Sequence, residues 1–149
     1  MAALMDTHIE NREIVQPHHA NTHGTVHGGN VTKWMDEVGA MAAMRFAGSN
    51  VVTARMEQVN FRRPIPVGDT ALIESYVYDA GETSIRVRCR VYREHIETDE
   101  TELTTESHLV YVAVDEDADS VPVPELETES ERGRELLAAA RASDETHSD

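Results

Sequence analysis

The chain has 149 residues, enough for one domain with a substantial hydrophobic core, and no stretch is long and apolar enough to predict a membrane span. Its 13 lysines and arginines stand against 28 aspartates and glutamates, giving a net charge of -15. Such a field repels nucleic acids and anionic membranes, so neither is expected as a partner.

Cysteine use and charge also indicate where the protein works. Cys89 is the only cysteine, which rules out an internal disulfide, and no basic or apolar secretion signal opens the chain. We therefore expect a reducing, cytoplasmic location. Lys33 is the only lysine. High acid content with almost no lysine is typical of halophilic proteins, whose charge repulsion is screened by salt, so the charge indicates habitat rather than chemistry.

The first half of the chain predicts one strand, one loop and one long helix. Residues 1–7 are expected to be disordered, residues 8–16 can form a short strand, and residues 17–26 form a loop rich in histidine and glycine. The helix begins at His27-Gly28-Gly29 and ends near Ala47-Gly48. One face is an apolar stripe, and the other carries small side chains behind Asp36: Val31, Trp34, Met35, Val38, Met41 and Ala42 on the first, Gly39, Ala40, Ala43 and Ala47 on the second.

Asp36 is the unusual feature of that helix. A helix that is apolar on one face and small on the other is expected to be surrounded by other structure. A carboxylate on the small face is then partly dehydrated, which is costly unless the group is used or satisfied.

After Gly48 the pattern alternates and predicts strands at residues 51–61, 69–79, 83–94 and 105–115, with a tight turn at 80–82 and an acidic loop at 96–102. In the strand at 83–94, Ile85, Val87, Cys89 and Val91 point inward, and Arg86, Arg88 and Arg90 point outward. This order predicts an α+β fold in which a five-stranded antiparallel sheet wraps around one long central helix.

The composition shifts again after Asp115. Val121-Pro122-Val123-Pro124 predicts an extended segment, and Thr128 with Glu131 predicts a capping box for a short helix reaching about Arg141. We therefore assign residues 1–126 to one domain and residues 127–149 to an acidic C-terminal helix and tail, an appendage outside the active centre.

Several motifs in order carry a family resemblance over roughly residues 8–126. They are Asn21-Thr22-His23-Gly24-Thr25-Val26-His27-Gly28-Gly29, Trp34-Met35-Asp36-Glu37, Val52-Thr53-Ala54, Phe61 with Pro64-Ile65, Gly68-Asp69, Gly81 with Thr83-Ser84, Ala113-Val114-Asp115 and Val121-Pro122-Val123-Pro124. The series resembles the hotdog-fold acyl-CoA thioesterases of the YciA and brain acyl-CoA hydrolase type. The resemblance implies hydrolysis of fatty acyl-CoA to free acid and CoA in fatty acid metabolism. It implies no cofactor, with CoA entering only as part of substrate and product.

The resemblance assigns the catalytic roles to Asp36 and Asn21. It implies that these two residues approach each other across a dimer interface. The protein is then at least a homodimer, and a homohexamer built as a trimer of dimers is expected.

The residue types fit that chemistry. Free amides at a helix N-terminus can bind an oxyanion, and Gly28 and Gly29 have no side chain to obstruct a carbonyl. We expect the N–H of Gly29 or its neighbour to polarise the thioester; the alternative is that the glycines only serve a tight turn. Asp36 would act as general base or as nucleophile. Asn21 would hold the water or the carbonyl, or form an Asx-turn in the loop.

Several residues are candidates for binding CoA. Arg62 and Arg63 are expected to meet CoA phosphates, whereas Arg86, Arg88 and Arg90 either do so or pair with the acidic surface. In the family the turn around Gly81 contacts CoA, often through a basic residue where Glu82 stands here, which leaves Thr83 and Ser84 as hydrogen-bond donors. Val52 and Thr53 are expected to line the pantetheine path.

Three other kinds of protein fit the sequence less well. The spacing of His18, His19, His23 and His27 does not match that of a zinc hydrolase, so no metal site is expected. A non-catalytic acyl-CoA-binding or sensing protein would keep the fold, but retention of Asn21 and Asp36 argues against it. A hydratase would need an Asp/His pair, for which the sequence has no motif.

Overall fold

The structure is a computed structural model that describes the backbone of residues 2–147 and the side chains of residues 2–144; Met1 and residues 148–149, which belong to the predicted irregular ends, lie outside the described residues. No helix in the described range is long and apolar enough to cross a membrane. The strands are β1 (Ala2–Ala3), β2 (Ile9–Ile14), β3 (Asn50–Phe61), β4 (Thr70–Ala80), β5 (Ser84–His95), β6 (Glu100–Val114) and β7 (Leu126–Glu127), and the helices are α1 (Leu4–Thr7), α2 (Gly28–Ala47) and α3 (Glu131–His147).

Five of the strands form one antiparallel sheet in the order β2-β4-β5-β6-β3, and α2 packs against it. The predicted fold class is therefore confirmed. β6 begins at Glu100, earlier than predicted, because its first residues continue the pairing with β5 and leave only a short turn in which Asp99 has a φ of 61°. β3 lies at one edge of the sheet.

Helix α2 has the predicted bounds and clear stop signals. The His27 side chain caps its N-terminus, and Gly48 ends it in the left-handed conformation with a φ of 66°. The sheet covers one side only. Met41 is 38 % and Met44 36 % exposed, so the expectation that the helix is surrounded is wrong for a single chain.

The N-terminal segment is ordered, contrary to the prediction of disorder. Leu4 is fully buried, and the Thr7 hydroxyl accepts a hydrogen bond of 2.9 Å from the Val77 amide. β1 pairs in parallel with β7. The segment is too short to show a hydrophobic period, so its order depends on partners that are distant in sequence.

Helix α3 covers the sheet face opposite α2, because Leu136 and Ala140 cluster with Tyr76 and Tyr78. It begins at Glu131 and runs to His147, beyond the predicted end near Arg141. The Ser130 hydroxyl accepts the helical N–H of Gly133 at 2.9 Å, so the N-cap is Ser130 and not the predicted Thr128.

Candidate active site

Asp36 lies on α2 with one carboxylate oxygen held by two hydroxyl groups. The Thr53 hydroxyl donates to Asp36 Oδ1 at 2.8 Å, and the Tyr111 hydroxyl lies 3.1 Å from the same atom. The Tyr111 hydroxyl also lies 3.0 Å from the backbone oxygen of Asp36. Among the side chains of residues 2–144 and the described backbone, no donor is found for Oδ2 and no ion pair is found for this acid. The second oxygen is therefore available to a substrate.

The sheet register explains why these donors meet. Thr53 on β3 and Tyr111 on β6 are direct cross-strand partners, and both face the third turn of α2. Gly39 follows one helical turn after Asp36, and a Cβ there would lie 2.5 Å from the Tyr111 hydroxyl oxygen. Glycine inside a helix costs about 0.5–1 kcal/mol relative to alanine, so this position gives up helix stability to admit the phenol.

Sequence reasoning missed Tyr111 and assigned Thr53 another role. The sequence shows Tyr111 only as a member of an alternating strand, although a tyrosine on an inward face needs a partner for its hydroxyl. Burial and the neighbouring Asp36 carboxylate raise the pKa of Tyr111 far above its ordinary value, so the phenol stays protonated and donates. Thr53 was expected to line the pantetheine path, but its hydroxyl donates to Asp36.

Asn21 lies in the loop before α2, and its side chain organises that loop. Its Oδ1 accepts the amides of His23 at 2.9 Å and Thr25 at 3.3 Å, while its Nδ2 lies 3.0 Å from the Thr25 hydroxyl. The Asx-turn that the sequence left open as an alternative is therefore present. It fixes the direction of the Asn21 amide beside the helix start.

The two glycines differ in what their amides do. The Gly29 N–H donates to His27 Nδ1 at 2.9 Å, so this amide is already satisfied by the N-cap. The Gly28 N–H has no acceptor among the described residues. The Phe61 ring lies 3.5 Å from where a Gly28 Cβ would stand, an ordinary packing distance, so the ring covers the start of the helix. Of the two amides, that of Gly28 is the free one.

Asn21 and Gly28 border a cleft of about 340 Å³. Its lining mixes apolar and polar residues, two exposed arginines belong to it, and Asp36 does not line it. The lining residues are Asn21, Thr25, Val26, Gly28, Val31, Phe61, Arg62, Arg63, Pro64, Ile65 and Thr105.

Two half-sites are therefore separated within one chain. Asp36 lies eight residues beyond Gly28 on α2, a rise of roughly 12 Å along the helix axis. β3 shows the same division, because Thr53 near one end contacts Asp36 and Phe61 at the other end contacts the Gly28 region. The chain brings Asn21, Gly28 and Arg62 together, and Asp36 with Thr53, but does not join the two groups.

The remaining candidate contacts fall into two classes. Ser84 of β5 and Val52 of β3 both pair with Val112, so they lie on either side of β6 at the Asp36 end of the sheet, with Thr83 just before β5. The outward arginines of β5 are occupied by ion pairs, which confirms the alternative of pairing with acidic groups. The pairs are Arg86 with Glu57 and Asp144, Arg88 with Glu106, and Arg90 with Glu74.

The histidines of the loop have structural contacts. His19 Nδ1 accepts the Gln16 amide at 3.0 Å, and the His19 ring meets the Trp34 ring edge-on. The one described cluster with metal-ligand spacing is His8, Glu10 and Glu74, but Glu74 is already bound by Arg90 at 2.9 Å.

A family model described as "Thioesterase superfamily" matches residues 23–100, more than half of the chain. The chain belongs to the thioesterase superfamily. A relative named as an uncharacterized acyl-CoA thioester hydrolase, YkhA of Bacillus subtilis, is 37 % identical over 132 residues, covering 87 % of this chain and 77 % of the relative.

Solved thioesterase structures agree with the fold. An apo-hexameric acyl-CoA thioesterase superposes with a TM-score of 0.87 at 37 % identity, covering 99 % of this chain and 94 % of the other. An acyl-CoA hydrolase from Staphylococcus aureus, solved with butyryl coenzyme A and coenzyme A, gives a TM-score of 0.88 at 28 % identity, covering 97 % and 88 %.

Variants of the Staphylococcus aureus hydrolase bear on the site of this thioesterase. Three structures of it carry alanine in place of one asparagine, one aspartate or one threonine, separated in order by 15 and 17 residues. Asn21, Asp36 and Thr53 have the same separations.

Proposed function

We propose that the protein hydrolyses the thioester of fatty acyl-CoA, releasing a free acid and CoA. The observation that carries the proposal is Asp36, whose Oδ1 is held by two hydroxyls while Oδ2 has no donor in the described part of the chain. Family membership and the names of the relatives support the same reaction.

Asp36, the Gly28 amide and the Asn21 side chain each have a separate role in the reaction. The Gly28 N–H, with the positive end of the α2 dipole behind it, polarises the thioester carbonyl and stabilises the oxyanion. Asn21 orients the carbonyl or the attacking water. Gly29 contributes through its hydrogen bond to His27, which fixes the first turn beside the oxyanion.

Asp36 serves either as general base or as nucleophile. As a base it takes a proton from water while the oxygen adds to the carbonyl carbon; the oxyanion then collapses, the carbon–sulfur bond breaks, and the CoA sulfur receives the proton. As a nucleophile it forms an anhydride with release of CoA thiolate, and water hydrolyses the anhydride afterwards.

One complete site uses two chains. β3 is an edge strand whose Asp36 end and Gly28 end lie apart, so antiparallel pairing of two β3 edges about a two-fold axis would bring the Asp36 half of one protomer to the Asn21 half of the other. The protein is then at least a homodimer. The hexameric state named for similar thioesterases supports a trimer of dimers.

CoA spans both halves. Arg62 and Arg63 at the rim of the cleft are exposed and would meet phosphates, and Thr83 and Ser84 would donate hydrogen bonds without a basic residue at position 82. Val52, which is 47 % exposed, and Thr53 would flank the pantetheine arm.

Charge and composition support a location in a salt-rich, reducing cytoplasm. A net charge of -15 fits a salt-rich cytoplasm, and the buried free thiol of Cys89 fits a reducing one. The reaction needs no resident cofactor or metal, since water, a carboxylate and backbone amides supply all its steps.

The test is release of thiol from a panel of acyl-CoA esters, followed with DTNB at high salt. We expect turnover of mid- to long-chain substrates and a loss of about 10²–10⁴-fold in Asp36→Asn, with fold and CoA binding retained. A wild-type rate in the variant would refute the mechanism. Binding of every ester without release by the wild type would replace the enzyme with an acyl-CoA-binding or sensing protein.

A further inference from the structure

Tyr111 makes a contact that the proposed reaction does not yet use. Its side chain is fully buried between sheet and helix, and its single hydroxyl proton is shared between the backbone oxygen and Oδ1 of Asp36. The hydroxyl therefore ties the carboxylate to the main chain that carries it. Thr53 bonds to Oδ1 as well but has no second anchor on the helix among the described contacts.

The helix is shaped for this contact. Only glycine at position 39 leaves room, because a Cβ would lie 2.5 Å from the Tyr111 hydroxyl oxygen. The same Cβ would lie 3.4 Å from the ring carbon that carries the hydroxyl, which is an ordinary contact. The space is thus required by the oxygen atom and not by the ring.

We propose that Tyr111, admitted by Gly39, is a positioning residue that orients the Asp36 carboxylate so that Oδ2 faces the substrate. Two donors on Oδ1 fix the rotation of the carboxylate plane, whereas Thr53 alone leaves it free to turn about one bond. The inference rests on the proposed thioesterase function and deepens it.

The groups that hold the Asp36 carboxylate in this orientation are uncharged hydrogen-bond donors. Thr53 reaches it from β3, Tyr111 from β6, and Cys89 of β5 lies beneath with its thiol near the Met35 backbone oxygen. Burial raises the pKa of Cys89 to about 12, so this thiol stays neutral.

The test compares Tyr111→Phe with the wild type by steady-state kinetics on one acyl-CoA. We expect kcat to fall about 10–100-fold, the value of losing a hydrogen bond to a charged group, with KM nearly unchanged. Tyr76→Phe is the matched control, because it removes a buried hydroxyl that donates to Leu136 on the opposite sheet face. It should keep the wild-type kinetics.

Gly39→Ala gives an independent measurement. Alone it should lower kcat as Tyr111→Phe does, but in the Tyr111→Phe background it should change kcat by less than about twofold, since the two act through one oxygen atom. The double variant should also melt at a higher temperature than Gly39→Ala.

The outcomes separate the two claims. If the wild type is active, an unchanged kcat in Tyr111→Phe, or independent effects of the two substitutions on kcat, would overturn the positioning role alone. A wild type that releases no thiol from any ester would overturn the proposed function and this inference with it.

Discussion

Mixing two inactive variants tests whether one site is built from two chains. Asp36→Asn removes the base from one half-site, and Asn21→Ala removes the amide from the other. Each variant alone should lose most activity, about 10²–10⁴-fold for the carboxylate. The two substitutions lie in different half-sites of a single chain, because Asp36 is beside Thr53 and Asn21 lines the cleft.

The expected recovery follows from counting sites. With equal amounts of both chains, half of the dimers are mixed, and each mixed dimer has one site with both substitutions and one with neither. The mixture should therefore regain about one quarter of wild-type activity. The chains are co-expressed, their ratio is checked by mass spectrometry, and thiol release is measured at high salt.

A matched pair of chains checks that co-expression alone does not restore the rate. Asp36→Asn co-expressed with a chain carrying both Asp36→Asn and Asn21→Ala has no intact site and should stay inactive. Should the equal mixture of the single variants also remain at the average of its two components, every site would lie within one chain, and the shared-site reasoning would be refuted.

Two further predictions concern stability. Burial raises the pKa of Glu106, but hydrogen bonding from Ser143 and the charge of Arg88 outweigh it and hold the pKa below its ordinary value. This stability is present above the unfolded pKa and is lost as pH falls through the folded one, so the melting temperature should drop below about pH 4.5. Glu106→Gln, which leaves the 8 % exposed Arg88 without its anion, should flatten that dependence and cost roughly 3–5 kcal/mol at neutral pH; an unchanged acid profile would contradict the assignment. His27→Ala should cost about 1 kcal/mol in urea unfolding by removing the N-cap, with His27→Asp as the control that keeps an acceptor, and equal stability of all three proteins would contradict the cap.

The elements with a long period could be predicted from sequence. α2 has an apolar stripe, ends at a glycine and is too long to be a strand, so only a helix fits its pattern. In β5, apolar and polar residues alternate from Ile85 to Val91. Asp36 could be singled out by its place on a face of small residues. These patterns are local in sequence, so they do not depend on contacts with distant parts of the chain.

Contacts between distant segments could not be predicted. Leu4 and Thr7 are ordered by β4 and α3, which lie far along the chain. The small residues behind Asp36 do not show what fills the space at Gly39, which admits the Tyr111 hydroxyl from β6. The identity of an occupant depends on sheet register, and bulges at Thr53 and Glu57 shift the register of β3 away from simple counting.

The positions of Asp36 and the Gly28 amide along α2 explain why a second protomer is needed to complete the site. α2 carries its free amide at the start and its acid about two turns later, while β3 passes the acid first and reaches the amide end last. Because the acid and the amide lie on the same helix, eight residues apart, shortening the loop between α2 and β3 would not bring them together. A two-fold axis at the β3 edge reverses one copy against the other and would close both sites at once. The exposed Met41 and Met44 on α2 leave an apolar surface for such a partner to cover.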